Sequence, residues 1–376
     1  MSTEFHYSSG VTVTFEGTQI TSSSYSGFPS SVVLGDNVTT IGANAFKDLS
    51  LNSFTFNDNT VSVLQSIGAH AFDNTRLSSI DIPNAVSIIA EYAFANCELL
   101  NTVNVLDGSN LRSLGSHCFY KSTSLVNINI PNTVATLGEY CFYNTDVSMT
   151  TLPCTLTTIP AHCFEGTNMT SMKIPSSITH IGDYAFHSCA TMSSLTFVGS
   201  KLQVIGAHAF VNTAFDTVSI PMSVTDIGAH AFNGTTGTKL TTINIPVLST
   251  LRTVGDYAFY NNSVTTIFLP KTITSIGDYA LASNALDTIT LIGTSLKTIG
   301  DFAFANNTAI TTISIPHSVT TIGPSVFAGI VSSGKVPITI TFANPTTSLV
   351  VPANSFTPIQ LGIIFSVINF VRHGNA

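Results

Sequence analysis

The chain has 376 residues, and only 9% of them are charged, against about 25% in an ordinary soluble domain. Hydrophobic residues make up 44%, so Ser, Thr and Asn stand where charges would, as on the surface of a β-rich fold. Twelve Lys plus Arg against twenty Asp plus Glu give a net charge of −8, which argues against nucleic acid or an anionic bilayer as partner.

Residues 1–30 open with MSTEFHYSSGVTVTF, which has neither the basic n-region nor the apolar h-region of a secretory leader. They are read as an N-terminal cap. A repeat occupies residues 31–345. The hexapeptide IGAHAF stands at 67–72, 205–210 and 227–232, with variants such as IGANAF at 41, IAEYAF at 89, LGEYCF at 137 and IGDYAF at 181. Its anchor aromatic recurs from Phe46 through Phe72, Phe94, Phe119 and Phe142 to Phe327, in steps of 22 to 27 residues. Such a period is the mark of a solenoid of about 13–14 coils, in which each coil touches only its neighbours.

One coil, 125–147, reads LVNINIPNTVATLGEYCFYNTDV. LVNINIP alternates apolar and polar residues, the period of a strand with one buried face, and Pro ends it because Pro cannot donate to the ladder. A short extended piece, TVATLG, follows, and then the hexapeptide. Its Gly slot is taken by Ala90 and by Pro160 in two coils, which argues against positive φ there and for the start of a helical turn. Each coil is therefore expected to be a strand, a turn, a short extended piece and a single helical turn, with Ala and Phe pointing inward.

The outward strand positions form a carpet of hydroxyls and amides, a composition that exposed β positions favour in any case. The candidate binding residues on it are Asp81, Asn127, Asn129, Met149, Lys173, Thr242, Asn244, Thr266, Phe268, Thr288 and Thr290. Asp81, Met149, Lys173 and Phe268 are the distinctive members, with Phe268 the first choice of hot spot. Asp81, Lys173 and Phe268 also interrupt the regular Thr array that an ice or carbohydrate lattice would need.

The fourth hexapeptide slot alternates between His (70, 117, 162, 208, 230) and Tyr (92, 140, 184, 257, 279). Only His208 and His230 fall in adjacent coils, so a half-exposed packing ladder is expected rather than a metal site. Cys118, Cys141 and Cys163 fill a slot that is usually Ala and read as small buried spacers, while Cys97 and Cys189 share another slot four coils apart. The sequons at Asn37, Asn168, Asn233, Asn261 and Asn306 are no more than so much Asn, Ser and Thr would produce.

Gly329, Gly334 and Lys335 imitate a phosphate loop, but Val336 replaces its Ser or Thr and a strand-like VPITITF follows. There is no HExxH or GxSxG, and no catalytic residue, metal or cofactor is expected. Residues 346–376 read as a degenerate last repeat and an apolar C-terminal cap. The run at 359–371 is too short to span a bilayer, and end-to-end self-association through it is a further expectation.

The pattern IPxSVTxIGxxAFxxxxxLxxIxI, complete in SIPMSVTDIGAHAFNGTTGTKLTTINIP, resembles the BspA-like leucine-rich repeat family. The resemblance implies a right-handed, curved leucine-rich-repeat solenoid with a parallel β-sheet on its concave face. It also implies a binding or adhesive role, often at the cell surface, and brings no catalytic residues. Two readings stay open: a surface adhesin binding a host or matrix protein through the concave face, and an intracellular scaffold on a larger assembly such as the cytoskeleton. The absence of a leader and six cysteines without a disulfide framework favour the second, and the family resemblance favours the first.

Overall fold

The computed structural model describes residues 2–10, 12–56, 62–106, 108–199, 201–234, 239–330 and 339–342. The C-terminal cap, the self-association segment 359–371 and the end of the phosphate-loop look-alike lie outside the described residues. The chain divides into two compact units, Met1–Ile178 with Tyr184–Met192, and Thr179–Asp183 with Ser193–Ala376. Each is a stack of parallel-strand coils.

In the first unit the coils contribute long strands such as Ser53–Phe56, Ser79–Ile82 and Thr102–Val105. Ser79–Ile82 and Thr102–Val105 pair in parallel over four residues, with Ser79 opposite Thr102. The inward residues Phe54, Ile80, Ile82 and Val103 are the alternate ones, which is why period-two alternation marks these segments. The second unit repeats the arrangement, for example Thr266–Leu269 against Thr288–Leu291.

The short extended pieces turn out to be the more regular ladder. Gln19–Ile20, Thr40–Ile41, Ser66–Ile67, Ile88–Ile89, Ser113–Leu114 and Thr136–Leu137 pair in parallel order in the first unit, and the order breaks before Thr158–Ile159. The second unit has seven such strands, from His180–Ile181 to Thr321–Ile322.

The helical turn expected at the hexapeptide is not helical, and no helix occurs among the described residues. His70 has φ of 56° and Asn74 of 58°. Ala71 N–H closes onto Gly68 C=O at 3.2 Å and Thr75 N–H onto Phe72 C=O at 3.2 Å, two successive turns with a left-handed third residue. The alternate N–H groups of His70, Phe72 and Asn74 instead donate to Glu91, Ala93 and Ala95 of the next coil, at 3.0, 2.8 and 2.9 Å. A helix would direct all of these donors along its own axis, and the coils would lose a hydrogen-bonded seam. The Gly slot has negative φ, as expected, and is small for another reason. A Cβ on Gly68 would fall 2.7 Å from Ala43 N in the coil before.

Between the seams lies the phenylalanine column. In the first unit Phe46, Phe72, Phe94, Phe119, Phe142, Phe164 and Phe186 stack with centroids 5.0 to 5.6 Å apart. All seven are fully buried. At its start the antiparallel hairpin of Thr3–His6 and Thr12–Phe15 pairs with Ser31–Leu34, while Tyr25 stacks on Phe46 at 5.7 Å and Phe5 packs beside it. The first ring of the column is thus covered by aromatics from residues 1–30. In the second unit Phe210, Phe232 and Phe259 continue the theme, Leu281 takes one rung, and Phe304 and Phe327 follow.

Candidate functional site

The predicted residues stand at outward positions of the long strands and fall into two groups, one in each unit. In the first unit Asp81, Asn127, Asn129 and Met149 line one open depression of about 790 Å³. Its polar groups are partly committed to one another: Asn104 Nδ2 donates to Asp81 Oδ1 at 2.8 Å, and Asn127 Nδ2 donates to Asn101 Oδ1 at 3.3 Å. Lys173 is exposed on the same face and lies outside the depression, its N–H bonded to Thr150 C=O at 2.8 Å.

In the second unit Asn244, Thr266, Phe268, Thr288 and Thr290 line a smaller depression of about 460 Å³. No charged residue lines it. Asn244 Nδ2 donates to Ser219 Oγ at 3.2 Å, and the Phe268 ring is half-buried between the Thr and Asn rows. Thr242 is exposed beside this group without lining the hollow. Nearby, Met222, Val247 and Leu248 are 52%, 62% and 73% exposed, an apolar rim that reading one strand at a time did not reveal.

A residue missed from sequence is Thr150. Aligning the coils places it in the first inward slot of its strand, where Phe54, Ile80, Val103, Ile128 and Met172 stand in its unit. It is exposed, and its coil, 147–153, is the one described coil with no long strand, only an isolated bridge between Thr151 and Lys173. The signal was present as a polar residue breaking an apolar column.

The His and Tyr slot forms the stacked ladder expected. His70, Tyr92, His117, Tyr140, His162 and Tyr184 lie 4.2 to 4.7 Å apart in the first unit. His208, His230, Tyr257, Tyr279 and Phe302 lie 4.5 to 4.7 Å apart in the second. All have φ between 54° and 57°, costly for bulky residues, so ring stacking offsets backbone strain. The acidic residue before Tyr also has a local role: Asp256 Oδ1 and Asp278 Oδ1 accept the N–H of Asp278 and Asp301 one coil on, at 2.8 and 2.7 Å.

Carboxylates three residues after the His steady two of the imidazoles. His70 Nδ1 meets Asp73 Oδ2 at 2.8 Å, beside Lys47 at 3.0 Å, and His162 Nδ1 meets Glu165 Oε2 at 2.5 Å. Glu165 Oε1 also reaches His187 Nδ1 at 3.2 Å, where Ser188 Oγ stands at 3.1 Å. This has the composition of a hydrolase triad but not its geometry. Serine and carboxylate compete for the same ring nitrogen, so the imidazole cannot pass a proton between them. No group of three or more metal-ligating side chains with suitable placement occurs among the described residues.

His117 lacks such a carboxylate because Tyr120 occupies the position, and its buried Nδ1 has no hydrogen-bond partner. Burial pulls the His117 pKa below 6.5 against the attraction of Glu139 and Glu91, and burial does the same at His230 against Asp256. The unfolded chain therefore takes up these protons first as pH falls through 6.5. Their contribution to stability is full above that value and declines below it, until the folded histidines titrate too. At Glu165, burial would raise the pKa, but His187 and His162 outweigh it and hold the group low, so its contribution disappears further down, below about 4.5. Melting temperature should fall in two steps between pH 8 and pH 3. A His117→Phe/His230→Phe variant, using the ring that Phe302 already places in this slot, should flatten the upper step. An unchanged upper step would locate its origin elsewhere.

Five of the six cysteines are buried free thiols and Cys154 is an exposed one. Cys118, Cys141 and Cys163 are the spacers expected. Cys97 Sγ donates to Phe72 C=O at 3.0 Å and Cys189 Sγ to Phe164 C=O at 3.1 Å, so these two act as polar rungs to the coil before.

The model of the BspA type leucine-rich repeat region matches residues 18–148, 112–239 and 236–348. No curated protein matches the sequence. A leucine-rich repeat protein from Bacteroides ovatus has a similar structure, with a TM-score of 0.63 and 22% identity over 89% of this chain and 88% of that one. A leucine rich cell surface protein from Faecalibacterium prausnitzii aligns at a TM-score of 0.42 with 22% identity, over 92% of this chain and 94% of that one. Parallel-strand coils with an inward Phe column, and a repeat-family match running almost end to end, lead to one conclusion: the chain belongs to the BspA-type leucine-rich repeat family.

Proposed function

We propose that this chain is a non-enzymatic protein-binding repeat protein that engages a partner through the outward face of its long strands, as a surface adhesin or matrix-binding protein. The observation that carries the reading is the Phe268 hollow. It sets a half-buried aromatic among neutral hydroxyls and amides, beside an exposed apolar rim, which is the composition of a hot spot with its surround. Membership of a leucine-rich repeat family supports protein binding in general. A second reading, an intracellular scaffold, is favoured by the free thiols, since six unpaired cysteines suit a reducing compartment.

A photo-cross-linking residue at Thr266, on the long-strand face, should yield a partner adduct in the source cells, and one at Thr274, beside the short strands, should not. Adducts from Thr274 alone, or from neither, would overturn the assignment of the face. Phe268→Ala should cut the Thr266 adduct severalfold while leaving stability within about 0.5 kcal/mol, as for other surface substitutions. Antibody labelling of intact against permeabilised cells separates the two locations.

A further inference from the structure

The coil around Thr150 breaks the rule that every other described coil obeys. Elsewhere the first inward slot of the long strand holds an apolar side chain, and two to four residues are in strand geometry. Here Thr150 is exposed and the strand is gone. The consequences reach the preceding coil, whose strand shrinks to Asn127–Ile128 and whose inward residues Ile128 and Ile130 are half-exposed. One main-chain hydrogen bond joins 125–131 to 147–153 among the described residues, from Ser148 N–H to Val126 C=O at 3.3 Å. The Ile128 and Ile130 N–H groups make no bond to the next coil, although Ile220, in the same slot as Ile130, donates to Asn244 C=O at 2.9 Å.

The long-strand ladder is interrupted elsewhere too, but with a strand of at least three residues on both sides. Only here does a polar residue hold the sheet open over an apolar floor. The result is the depression of about 790 Å³, with Ile128, Ile130 and Met149 in its lining and Asn104 and Asn129 among its amides. Asp81 is the single charged residue in that lining. A site where local rules fail without an internal compensation is where function is expected.

The geometry points to this opening as a docking site for a short, uncharged, extended polypeptide segment. Unpaired main-chain donors and acceptors in strand register are complemented by another main chain, the half-exposed isoleucines take alternate apolar side chains, and the amides at the rim satisfy the peptide's own groups. A carbohydrate or a charged ligand would leave either the floor or the main-chain groups unanswered. The inference rests on the reading that the long-strand face binds protein, and it names the partner chemistry for one part of that face.

The probe is a fluorescein-labelled, end-blocked hexapeptide of alternating Val and Thr, with an analogue N-methylated at alternate amides, titrated by anisotropy against the full chain. The wild type should bind the parent peptide, and the methylated analogue should bind at least about tenfold more weakly because several main-chain bonds are lost together. Thr150→Ile, which restores the apolar column, should weaken parent binding by a similar factor while the melting temperature holds or rises. Equal binding of the two peptides, undiminished binding by Thr150→Ile, or no binding at millimolar peptide would each overturn the proposal. Amide exchange at Ile128, Ile130, Met149 and Thr151 supplies a readout independent of affinity: fast in the free protein, slowed by peptide, and slow without peptide in Thr150→Ile. Failure of the slowing also overturns it. Failed peptide binding together with a Thr266 adduct would discard this site alone, whereas loss of that adduct would discard the face.

Discussion

Phe72→Asp should unfold its own coil and the two beside it while leaving distant coils protected. Phe72 is fully buried, stacked on Phe46 at 5.2 Å and on Phe94 at 5.0 Å, with the edge of Phe54 4.9 Å away. Removing such a ring costs about 3–5 kcal/mol by truncation alone, and a carboxylate without a partner in its place adds several more. That is comparable with the whole stability of an ordinary domain. In a solenoid the loss is local, because each coil exchanges contacts with its neighbours only. Amide exchange should accordingly show loss of protection centred on residues 41–96 and native protection far along the chain. Phe72→Leu is the control, since Leu281 already fills the same slot, fully buried, in another coil. It should cost a small fraction of the Asp effect. Unchanged melting of Phe72→Asp would mean that the ring column does not hold the coils together.

The ring column was legible because a period of 22 to 27 residues with an aromatic anchor in every coil but that of Leu281 has no other economical explanation. The strands were legible for the same reason, as alternation ending in Pro. The turn was not. Tyr92 is a bulky residue for which left-handed φ is uncommon, so a helical turn looked the better use of a Gly or Pro start. What settles the backbone there is the seam to the next coil, a non-local demand that overrides local preference. The site was legible only in part. Alternation identified which side chains point outward from each strand, so Asp81, Asn127 and Met149 were marked in the first unit and Phe268 in the second. Alternation within one strand says nothing about whether neighbouring strands stay paired, and the opening at Thr150 emerges only when coils are compared with each other. The apolar rim of Met222, Val247 and Leu248 is hidden in the same way, since it lies across coils beyond the strand ends.

The second large effect is expected at Asn284. Asn262, Asn284 and Asn307 sit one coil apart, three residues after the column position, and all are buried. Asn284 Oδ1 accepts Val264 N–H at 3.1 Å, and its Nδ2 is shared among the carbonyls of Phe259, Leu281 and Ala282 at 2.9, 3.1 and 3.3 Å. One side chain therefore answers backbone groups from its own coil and from the coil before, among them the Val264 N–H, for which it is the acceptor. Asn284→Leu keeps the volume and removes every one of these bonds. The three carbonyls keep other donors, Asn262 Nδ2 on Phe259, Asn307 Nδ2 on Leu281 and Asn261 N–H on Ala282. The buried Val264 N–H loses its acceptor, however, and the variant should lose about 1–3 kcal/mol. Asn284→Ser should fall between Leu and the wild type. In the equivalent slot of the first unit, Ser122 Oγ donates to Phe94 C=O and accepts Cys97 N–H at 3.2 Å, so a hydroxyl here can still answer one carbonyl and one N–H of the coil before. Thermal melts of the three proteins, with amide exchange at Val264, check the order. Equal stability of the Leu and Ser variants would mean that the Asn column is filling space, and that the coils of the second unit are held in register by the short-strand ladder and the turn seam alone.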